Sequence, residues 1–397
     1  MQIHGNSGDS EVQDPNDAPL TRRTALKTFG AALAIGVTAC SDRRTVLVDR
    51  TGQPGHRRRF EPVDMTAGRH VRSTVGLRPY RASGFRVQAE RLDGKQLIHC
   101  YGHGGGGITL SWGTANLAVG LLSAAPTPGP IAVIGAGVIG LTISTLLQRL
   151  GYDVTIYAAA AWPHTTSNAS AATFGPSHVL DSTRATPQFT SDFESALRRS
   201  YHAFQRLTGH RYGIRWYDAF FLSNDAQPST ETDVEGQVMQ RVVGSGVSRQ
   251  LNPDEHPFAA PRVTQGRDLI IEPMTYLRQL LDDFYLAGGR LRIRKFNTLR
   301  DVAQLTERVV FNATGLGSRE LVGDKELRAA RGQLCVMPPQ PGVDYTLYHG
   351  PFYYMVPRED GIILGGTFQL DNESTTASTE DDTNILAAHK AVFDAMR

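Results

Sequence analysis

Hydrophobic positions in the middle of the chain follow two patterns in close succession, a continuous apolar run and helical spacing. Residues 131–134 (IAVI) form the continuous run, which is typical of a strand buried on both faces of a parallel sheet. The segment GAGVIG follows at once, residues 141–150 then show helical apolar spacing, and residues 153–157 supply a second apolar strand. This order predicts a β-turn-α-β unit.

The glycines in the turn of this unit indicate a dinucleotide-binding site. Gly135 permits the tight turn, Gly137 lets the backbone approach a pyrophosphate, and Gly140 lets the helix pack closely on the strand. The pyrophosphate would lie at the helix N-terminus, beside Val138 and Ile139, because free N–H groups and the helix dipole favour an anion there.

The end of the second strand departs from the usual dinucleotide site. An acid that hydrogen-bonds the ribose is expected there, but Tyr157 is followed by alanines, Ala159 among them. Either another group contacts the ribose, or the affinity for the cofactor is reduced, or the chain has lost its cofactor. The next segment, residues 165–175, is small, polar and turn-forming, so it is either a ring-binding loop or a plain surface loop. Its candidate cofactor contacts are Thr165, Thr166, Ser167, Ala171 and Ala172.

A second glycine-rich stretch precedes this unit instead of following it. Residues 98–112 (IHCYGHGGGGITLSW) place five glycines in six positions between apolar, β-prone flanks. The stretch resembles one wall of a nucleotide site, and the alternative is an unrelated glycine-rich insertion before an ordinary Rossmann domain. Its candidate cofactor contacts are Gly104, Gly105, Gly107, Ile108 and Thr109.

Residues 185–310 carry the weakest structural signals in the sequence. They contain an alternating apolar strand at residues 215–222, a polar loop at 224–236 and a helical pattern at 273–287, which opens with Pro273 in its first turn. This mixture suits an α+β domain packed on the nucleotide-binding domain.

Composition and charge narrow the classes of protein further. The chain has 397 residues, 40% of them hydrophobic, which is enough for a sizeable core. The 41 basic and 39 acidic residues give a net charge of +2, so the charge balance does not indicate a nucleic-acid-binding surface. The three cysteines have no metal-ligand spacing and form no disulfide framework, so no metal site is expected.

The amino-terminal segment has the features of an export signal. Residues 21–27 read TRRTALK, and a short apolar run leads to Cys40, as in a twin-arginine signal. The sequence VTAC also resembles a lipobox, in which Cys40 would carry a lipid anchor; the alternative is a basic, disordered tail. Residues 1–40 are therefore predicted to direct export to the periplasm or beyond, and without a working signal the protein would be cytoplasmic. Residues 41–59 read as a solvated linker.

Taken together, several segments resemble the D-amino-acid oxidase family of FAD-dependent oxidoreductases. They are VIGAGVIGLT, TTSNASAATFGPS, FNATGLGSREL, RGQLCVMP, LYHGPFYYMVPR, GIILGGTFQLDN, GLRPYR and the stretch at 98–112. The resemblance implies an α/β fold with a Rossmann-like FAD-binding domain and an α+β substrate domain, with FAD as cofactor. The family begins with the GxGxxG strand and ends with the GLRPYR and YGHGG segments, whereas here those two come first. The chain therefore resembles a circular permutant of the family.

The permuted order implies a domain organisation. Residues 60–122 would be the C-terminal part of the family fold, and residues 123–130 a proline-rich connector. The FAD-binding βαβ unit would span 131–184, the substrate domain would occupy most of 185–310, the chain would return to the FAD domain at 311–330, and 331–397 would hold substrate-domain strands and a terminal helix. The new break would separate Phe60 from a helix at 384–397, which reaches the last residue without a stop signal.

The resemblance also implies roles for single residues. Arg78 in GLRPYR would bind the substrate carboxylate, since its planar guanidinium makes paired charge-assisted bonds. Tyr348 and Tyr354 correspond to two active-site tyrosines, one on a lid and one on the carboxylate, although Tyr353 competes with Tyr354 for the second role. The carbonyl group of Gly105 would hold the substrate amine.

The implied reaction is oxidative deamination of a D-amino acid. The Cα hydrogen leaves as hydride to flavin N5, and the products are a 2-oxo acid, ammonia and, with oxygen as acceptor, hydrogen peroxide. D-aspartate oxidation is an alternative, because the basic residues Arg358 and His349 could pair with an acidic side chain. Glycine or secondary-amine oxidation is a further alternative. A non-catalytic protein of the same fold with impaired FAD binding is an alternative of another class. The protein could form a homodimer under either interpretation.

Overall fold

The computed structural model describes residues 60–122, 129–171, 173–224, 233–244, 248–350 and 352–397. The predicted signal, Cys40, the linker at 41–59, most of the connector and Ala172 lie outside the described residues. Within the described ranges no helix is both long enough and apolar enough to span a bilayer.

The described residues form the following strands and helices, in chain order. The strands are β1 (Arg72–Arg81), β2 (Arg86–Leu92), β3 (Lys95–Tyr101), β4 (Ile131–Ile134), β5 (Val154–Ala158), β6 (Ile214–Ser223), β7 (Arg249–Gln250), β8 (Arg262–Ile271), β9 (Arg290–Ile293), β10 (Val309–Asn312), β11 (Leu327–Met337), β12 (Tyr345–His349), β13 (Tyr353–Arg358), β14 (Gly361–Gly365) and β15 (Gln369–Leu370). The helices are α1 (Gly107–Gly120), α2 (Val138–Arg149), α3 (Pro187–Arg206), α4 (Val234–Val243), α5 (Pro273–Leu286), α6 (Leu299–Ala303), α7 (Ser318–Leu321) and α8 (Thr379–Asp394).

The first part of the fold is a six-stranded sheet in the order β2-β3-β10-β4-β5-β9. Its strands are parallel except for β2. The continuous apolar run of β4 is explained by burial on both faces: Ile131 and Val133 belong to the core on the side of α1 and α2, whereas Ala132 and Ile134 pack with the opposite core, which includes Val302 of α6. Helices therefore cover both faces, as the parallel arrangement requires.

A nine-stranded, mostly antiparallel sheet forms the second part, in the order β1-β11-β14-β13-β12-β6-β8-β7 with β15 on β11. Side chains of β11 alternate between two cores: Cys335 packs toward α8 with Ile385 and Phe393, whereas Leu334 and Val336 face the other side. This alternation separates the helix-covered face from the face that carries the candidate site.

The segment at 60–122 is shared between the two sheets. Strand β1 pairs with β11 along its whole length, while β3 pairs with β10 in the middle of the parallel sheet. The two ends of the described chain are close neighbours. The ring centroids of Phe60 and Phe258 are 5.6 Å apart, and the backbone N–H of Arg397 donates to the carbonyl oxygen of Pro257 at 3.0 Å.

Two boundaries differ from the expectations. The terminal helix α8 begins earlier, because Ser378 caps it and three acids occupy its first turn, and it ends at Asp394 instead of running to the last residue. Strand β9 lies at the edge of the parallel sheet although it falls within 185–310, so this part of the stretch belongs to the parallel-sheet part of the molecule. Two of its four residues, RLRI, are arginines, and three of the four are exposed, as is usual for an edge strand.

Candidate active site

One cavity of about 650 Å³ lies between the two sheets. It brings together residues that are far apart in the chain: Arg78, Gly104, Gly105, Gly107, Ile108, Thr109, Gly135, Gly137, Val138, Ile139, Thr165, Thr166, Ser167, Ala171, Tyr348 and Tyr354. Gly140 stands just behind this lining, and a Cβ on it would lie 1.9 Å from the carbonyl oxygen of Gly135. Every candidate site residue that the structure describes is therefore at the cavity or directly supports its wall.

The end of the cavity at β4 and α2 is built from backbone. Gly135 has φ +115° and passes so close to β10 that a Cβ on it would lie 2.3 Å from the carbonyl oxygen of Ala313. The backbone N–H of Val138, at the start of α2, points to the Oγ of Ser167 at 3.1 Å. A helix N-terminus that is open to a cavity and carries spare N–H groups is suited to a pyrophosphate.

The glycine-rich stretch after β3 forms the facing wall. Gly104 has φ +55°, and a Cβ on it would lie 1.9 Å from the carbonyl oxygen of His178. The backbone N–H of Gly105 donates to the carbonyl oxygen of Ser177 at 2.9 Å. The two loops therefore approach each other closely enough that only glycine fits, and their backbones line the cavity together.

The far end of the cavity, beyond β5, is poor in acids. Ala159 lines it and is exposed, and the residues that follow β9, Arg294, Lys295 and Phe296, lie at the same cavity. The hydroxyl of Thr165 is committed to Asn168 at 2.7 Å. Among the described lining residues the only carboxylate is Glu320. The backbone cradle fits a dinucleotide, but the ribose contact must come from a group other than an acid at the end of β5.

The opposite end of the cavity carries Arg78, from the middle of β1. A Cβ on Gly332 of the adjacent β11 would lie 2.2 Å from the guanidinium, so this glycine makes the space for the side chain. One guanidinium nitrogen donates to the carbonyl oxygen of Thr367 at 3.3 Å. Arg78 forms no ion pair with a described carboxylate, so its charge is available to an anionic group in the cavity.

Tyr354, and not Tyr353, lies beside Arg78. Burial raises the pKa of Tyr354, and the guanidinium of Arg78 opposes this rise through its charge and a hydrogen bond. The ring of Tyr354 packs over Gly365, whose Cβ would lie 2.2 Å from it. Tyr353 also reaches the lining of the cavity, but its ring stacks on His349 at a centroid distance of 5.4 Å. The geometry therefore favours Tyr354 as the partner of Arg78.

Tyr348 lies one strand further along, opposite Tyr354 in register. Its ring stacks on Phe221 at 4.8 Å, and its hydroxyl donates to the carboxylate of Asp268 on β8. Burial raises the pKa of Asp268 to about 7, while the bond from Tyr348 acts in the opposite direction. Asp268 was not predicted, because a single acid in a strand of mixed polarity forms no motif.

His178 lines the cavity and is also a residue that the motifs did not single out. It has φ +53°, and its ring stacks on Phe368 at 3.9 Å. Burial first, and then the charge of Arg78, lowers the pKa of His178. The loop is held by Glu235, whose carboxylate accepts the backbone N–H groups of His178 at 3.0 Å and Val179 at 2.5 Å. Phe368 lies in the LGGTFQ motif, which was the available signal for this pair.

Other polar residues of the motif segments are engaged in hydrogen bonds or ion pairs within the protein. His103 is buried with a pKa lowered to about 3 by burial, and its Nε2 lies 3.0 Å from the Thr114 hydroxyl. Arg81 pairs with Asp324 at 3.0 Å. Arg358 pairs with Asp360 at 2.7 Å, and neither it nor His349 is among the described residues that line the cavity.

Among the described residues, one group of potential metal ligands lies away from this cavity. His70, Cys335 and Asp382 place their ligand atoms within 4.8 Å of one another. Oδ1 of Asp382 already accepts hydrogen bonds from Ser73 at 2.6 Å and Gln333 at 2.7 Å, so this oxygen is satisfied by the protein itself.

Comparison with known proteins gives the family. Residues 130–396 match the model of the DAO family, described as FAD dependent oxidoreductase. A D-amino acid oxidase of Dugesia ryukyuensis is 29% identical over 280 residues, which cover 67% of this chain and 78% of that protein. A D-aspartate oxidase of Homo sapiens is 53% identical over 58 residues, or 14% of this chain and 17% of that protein. The structure of a glycine oxidase from Geobacillus kaustophilus has a TM-score of 0.51 at 17% identity, covering 68% of this chain and 80% of that one, and so shares the fold. Because the family model matches well over half of the chain, the protein belongs to the DAO family of FAD-dependent oxidoreductases.

Proposed function

We propose that the protein oxidises D-amino acids to 2-oxo acids, ammonia and hydrogen peroxide. The observation that carries the proposal is the position of Arg78 and Tyr354 at one end of the cavity whose other end is the glycine-built nucleotide cradle. An anionic substrate group held by Arg78 would lie within the cavity that holds the cofactor. The D-amino acid oxidases among the relatives support the choice of substrate class.

The residues of the chain would act mainly by alignment. Arg78 would bind the carboxylate with two parallel charge-assisted bonds, and the Tyr354 hydroxyl would add a third contact. The carbonyl of Gly105 would accept a hydrogen bond from the amine. When bound, FAD supplies the hydride acceptor, and oxygen restores it with formation of hydrogen peroxide. Holding the Cα–H bond in a reactive geometry is the main contribution expected of the protein.

The cavity favours neutral side chains over acidic ones. A D-aspartate side chain needs a second cation, and Arg358 and His349 are engaged elsewhere, as described above. The aromatic residues Phe352 and Phe368 line the cavity and offer apolar contacts. The short D-aspartate oxidase match keeps that substrate in the assay panel.

We also propose that the fold is circularly permuted within the family. The family model begins at residue 130, yet β1 and β3 of the preceding segment are integral parts of the two sheets. The proximity of Phe60 and Arg397, both packed at Phe258 and Pro257, would allow a short natural connection there. A rearranged chain, with residues 129–397 followed by a short linker and residues 60–128, should fold and bind FAD. A rearranged chain that is insoluble or binds no FAD would contradict the permutation.

Export is proposed on the sequence alone. The paired arginines and the segment that ends at Cys40 support twin-arginine transport, which carries folded proteins and would suit a cofactor loaded before export. Fractionation of cells that produce the full chain and its Arg22→Lys/Arg23→Lys variant would test it. Retention of the variant inside the cell, with the unaltered chain outside the cytoplasm, is the expected result.

The direct test of the activity is spectroscopic. Purified protein should show flavin absorbance that bleaches on anaerobic addition of D-alanine and returns with oxygen, with peroxide formed in step. L-Alanine is the matched control, and D-aspartate and glycine test the alternative substrates. A protein that FAD cannot reconstitute would contradict the enzyme and favour a non-catalytic role.

A further inference from the structure

The buried carboxyl group of Asp268 is connected to the cavity through Tyr348. Tyr348 lines the cavity, whereas Asp268 is only 8% exposed and is not among the described lining residues. The Tyr348 hydroxyl donates to Oδ2 of Asp268, and no cation is among the groups that set the pKa of this carboxyl. Burying an ionised carboxylate without a cationic partner costs free energy, and protonation removes this cost. A carboxyl group kept in such a place is therefore a candidate for a functional role.

The direction of this hydrogen bond determines what Tyr348 can bind. A phenol has one proton to donate, and Tyr348 gives it to Asp268. Its oxygen also has a hydrogen bond with the hydroxyl of Thr173, and toward any further group in the cavity it can only accept. A substrate carboxylate has no proton to give, whereas an ammonium group carries three donors. Tyr348 is thus suited to the amine of an amino acid, and Arg78 with Tyr354 to the carboxylate.

We propose that Tyr348 and Asp268 together accept the proton of the substrate ammonium group. The inference rests on the proposed amino-acid oxidation, in which the nitrogen must regain a free electron pair before the Cα–H bond is oxidised. One N–H bond of the ammonium breaks, and its proton joins the Tyr348 oxygen as the Tyr348 hydroxyl proton moves to Oδ2 of Asp268. The nitrogen keeps the electron pair, Tyr348 stays neutral, and Asp268 becomes the neutral acid. Asp268 is a positioning residue that acts through Tyr348.

The surroundings give this pair a proton affinity suited to the task. Burial raises the pKa of Asp268 from its ordinary 3.8 to about 7, so the carboxylate is present above neutral pH and still binds a proton readily. Burial, and then the charge of Asp268, raises the pKa of Tyr348 well above its ordinary value, so Tyr348 transfers a proton and does not ionise. The other titratable groups that face the pair are Tyr354 on β13, Tyr217 opposite Asp268 on β6, and Arg78 beyond Tyr354.

The test is anaerobic flavin reduction by D-alanine as a function of pH, with FAD-loaded enzyme. In the unaltered protein the reduction rate should fall about tenfold per pH unit below about pH 7 and level off above it. Asp268→Asn keeps the volume and a hydrogen-bond acceptor but cannot take the proton. Its rate at neutral pH should fall about 100-fold and should keep rising with pH into the range where the ammonium ionises unaided. Asp268→Glu should restore the plateau, at a lower rate.

Two controls separate proton transfer from structure. Glu272→Gln alters another buried carboxyl, just after β8, whose pKa is also raised by burial but which faces Arg215; it should keep the pH profile of the unaltered protein. Binding of propionate, which has no amine, should be equally tight in Asp268→Asn and the unaltered protein. If Asp268→Asn does not fold, Tyr348→Phe carries the same test, because it removes the oxygen that passes the proton.

The outcomes distinguish this inference from the proposed function. An Asp268→Asn protein that keeps the original pH profile, or one that loses propionate binding in parallel with reduction, would overturn the proton-transfer role while leaving the oxidase intact. An unaltered, FAD-loaded protein that no D-amino acid reduces would overturn both.

Discussion

The two ends of the cavity are constructed in opposite ways. The nucleotide end consists of backbone brought close by glycines, as at Gly135 and Gly104, where a Cβ would collide with the carbonyl oxygens of Ala313 and His178. The substrate end consists of large side chains, Arg78 and the tyrosines, which come from separate strands of the nine-stranded sheet.

This difference determines how each end can be damaged. The nucleotide end depends on space, so adding a single methyl group should disable it. The substrate end depends on particular donors and acceptors, so removing a side chain should impair it while leaving the cofactor in place. Substitutions at the two ends should therefore separate loss of FAD from loss of turnover.

The largest effect is expected for Gly135→Ala. At φ +115° any side chain is strained, and the added Cβ would meet the backbone of Ala313, directly after β10. The purified variant should lose FAD, with the dissociation constant raised about 100-fold or more, measured by titration of the apoprotein. Gly151→Ala is the matched control, because it has φ +85° in the same βαβ unit but open space around its Cβ. Equal FAD loss in both variants would contradict the role of close approach.

Arg78→Ala should have the next largest effect. Loss of two charge-assisted bonds to the carboxylate, at about 2 kcal/mol each, corresponds to a decrease of about 1000-fold in kcat/KM. The FAD content should stay unchanged, which is the feature that distinguishes the two ends. Arg319→Ala, which removes an exposed pair with Glu373, is the control and should leave kcat/KM as it was. Loss of FAD from Arg78→Ala would show that the two ends are not separable.

The same difference explains what could be predicted from the sequence. The turn glycines mark backbone requirements that depend on local order, so β4 was predicted at its observed bounds, whereas α2, predicted at 141–150, begins three residues earlier and ends one residue earlier. The α/β fold class and FAD are confirmed by the family match. The substrate end depends on which strands become neighbours. Arg78 and the tyrosines were reached only through the resemblance, and Asp268 was missed because nothing near it in sequence indicates that Tyr348 will reach it.

Tyr354→Phe should have a moderate effect within the substrate end. Removing one neutral hydroxyl beside Arg78 should raise KM for D-alanine about tenfold, with FAD retained. Tyr353→Phe provides the matched control on the neighbouring residue, whose ring packs toward His349 and α8. A larger effect in Tyr353→Phe than in Tyr354→Phe would reverse the assignment of the carboxylate contact.

The smallest effect is expected for Ala159→Glu, which adds a side chain that could bind the ribose at the nucleotide end. Ala159→Glu would place a carboxylate at the end of β5, where an acid can accept hydrogen bonds from the ribose. A gain of about 1 kcal/mol would tighten FAD binding about fivefold, measured by quenching of FAD fluorescence on titration of the apoprotein. Ala159→Gln controls for size without charge. If neither variant tightens binding, the ribose is already held by the groups after β9, such as Lys295. Ala159 then does not lower the affinity for FAD. If only the glutamate does so, this end of the cavity also depends on one side chain, and the contrast with the substrate end is one of degree.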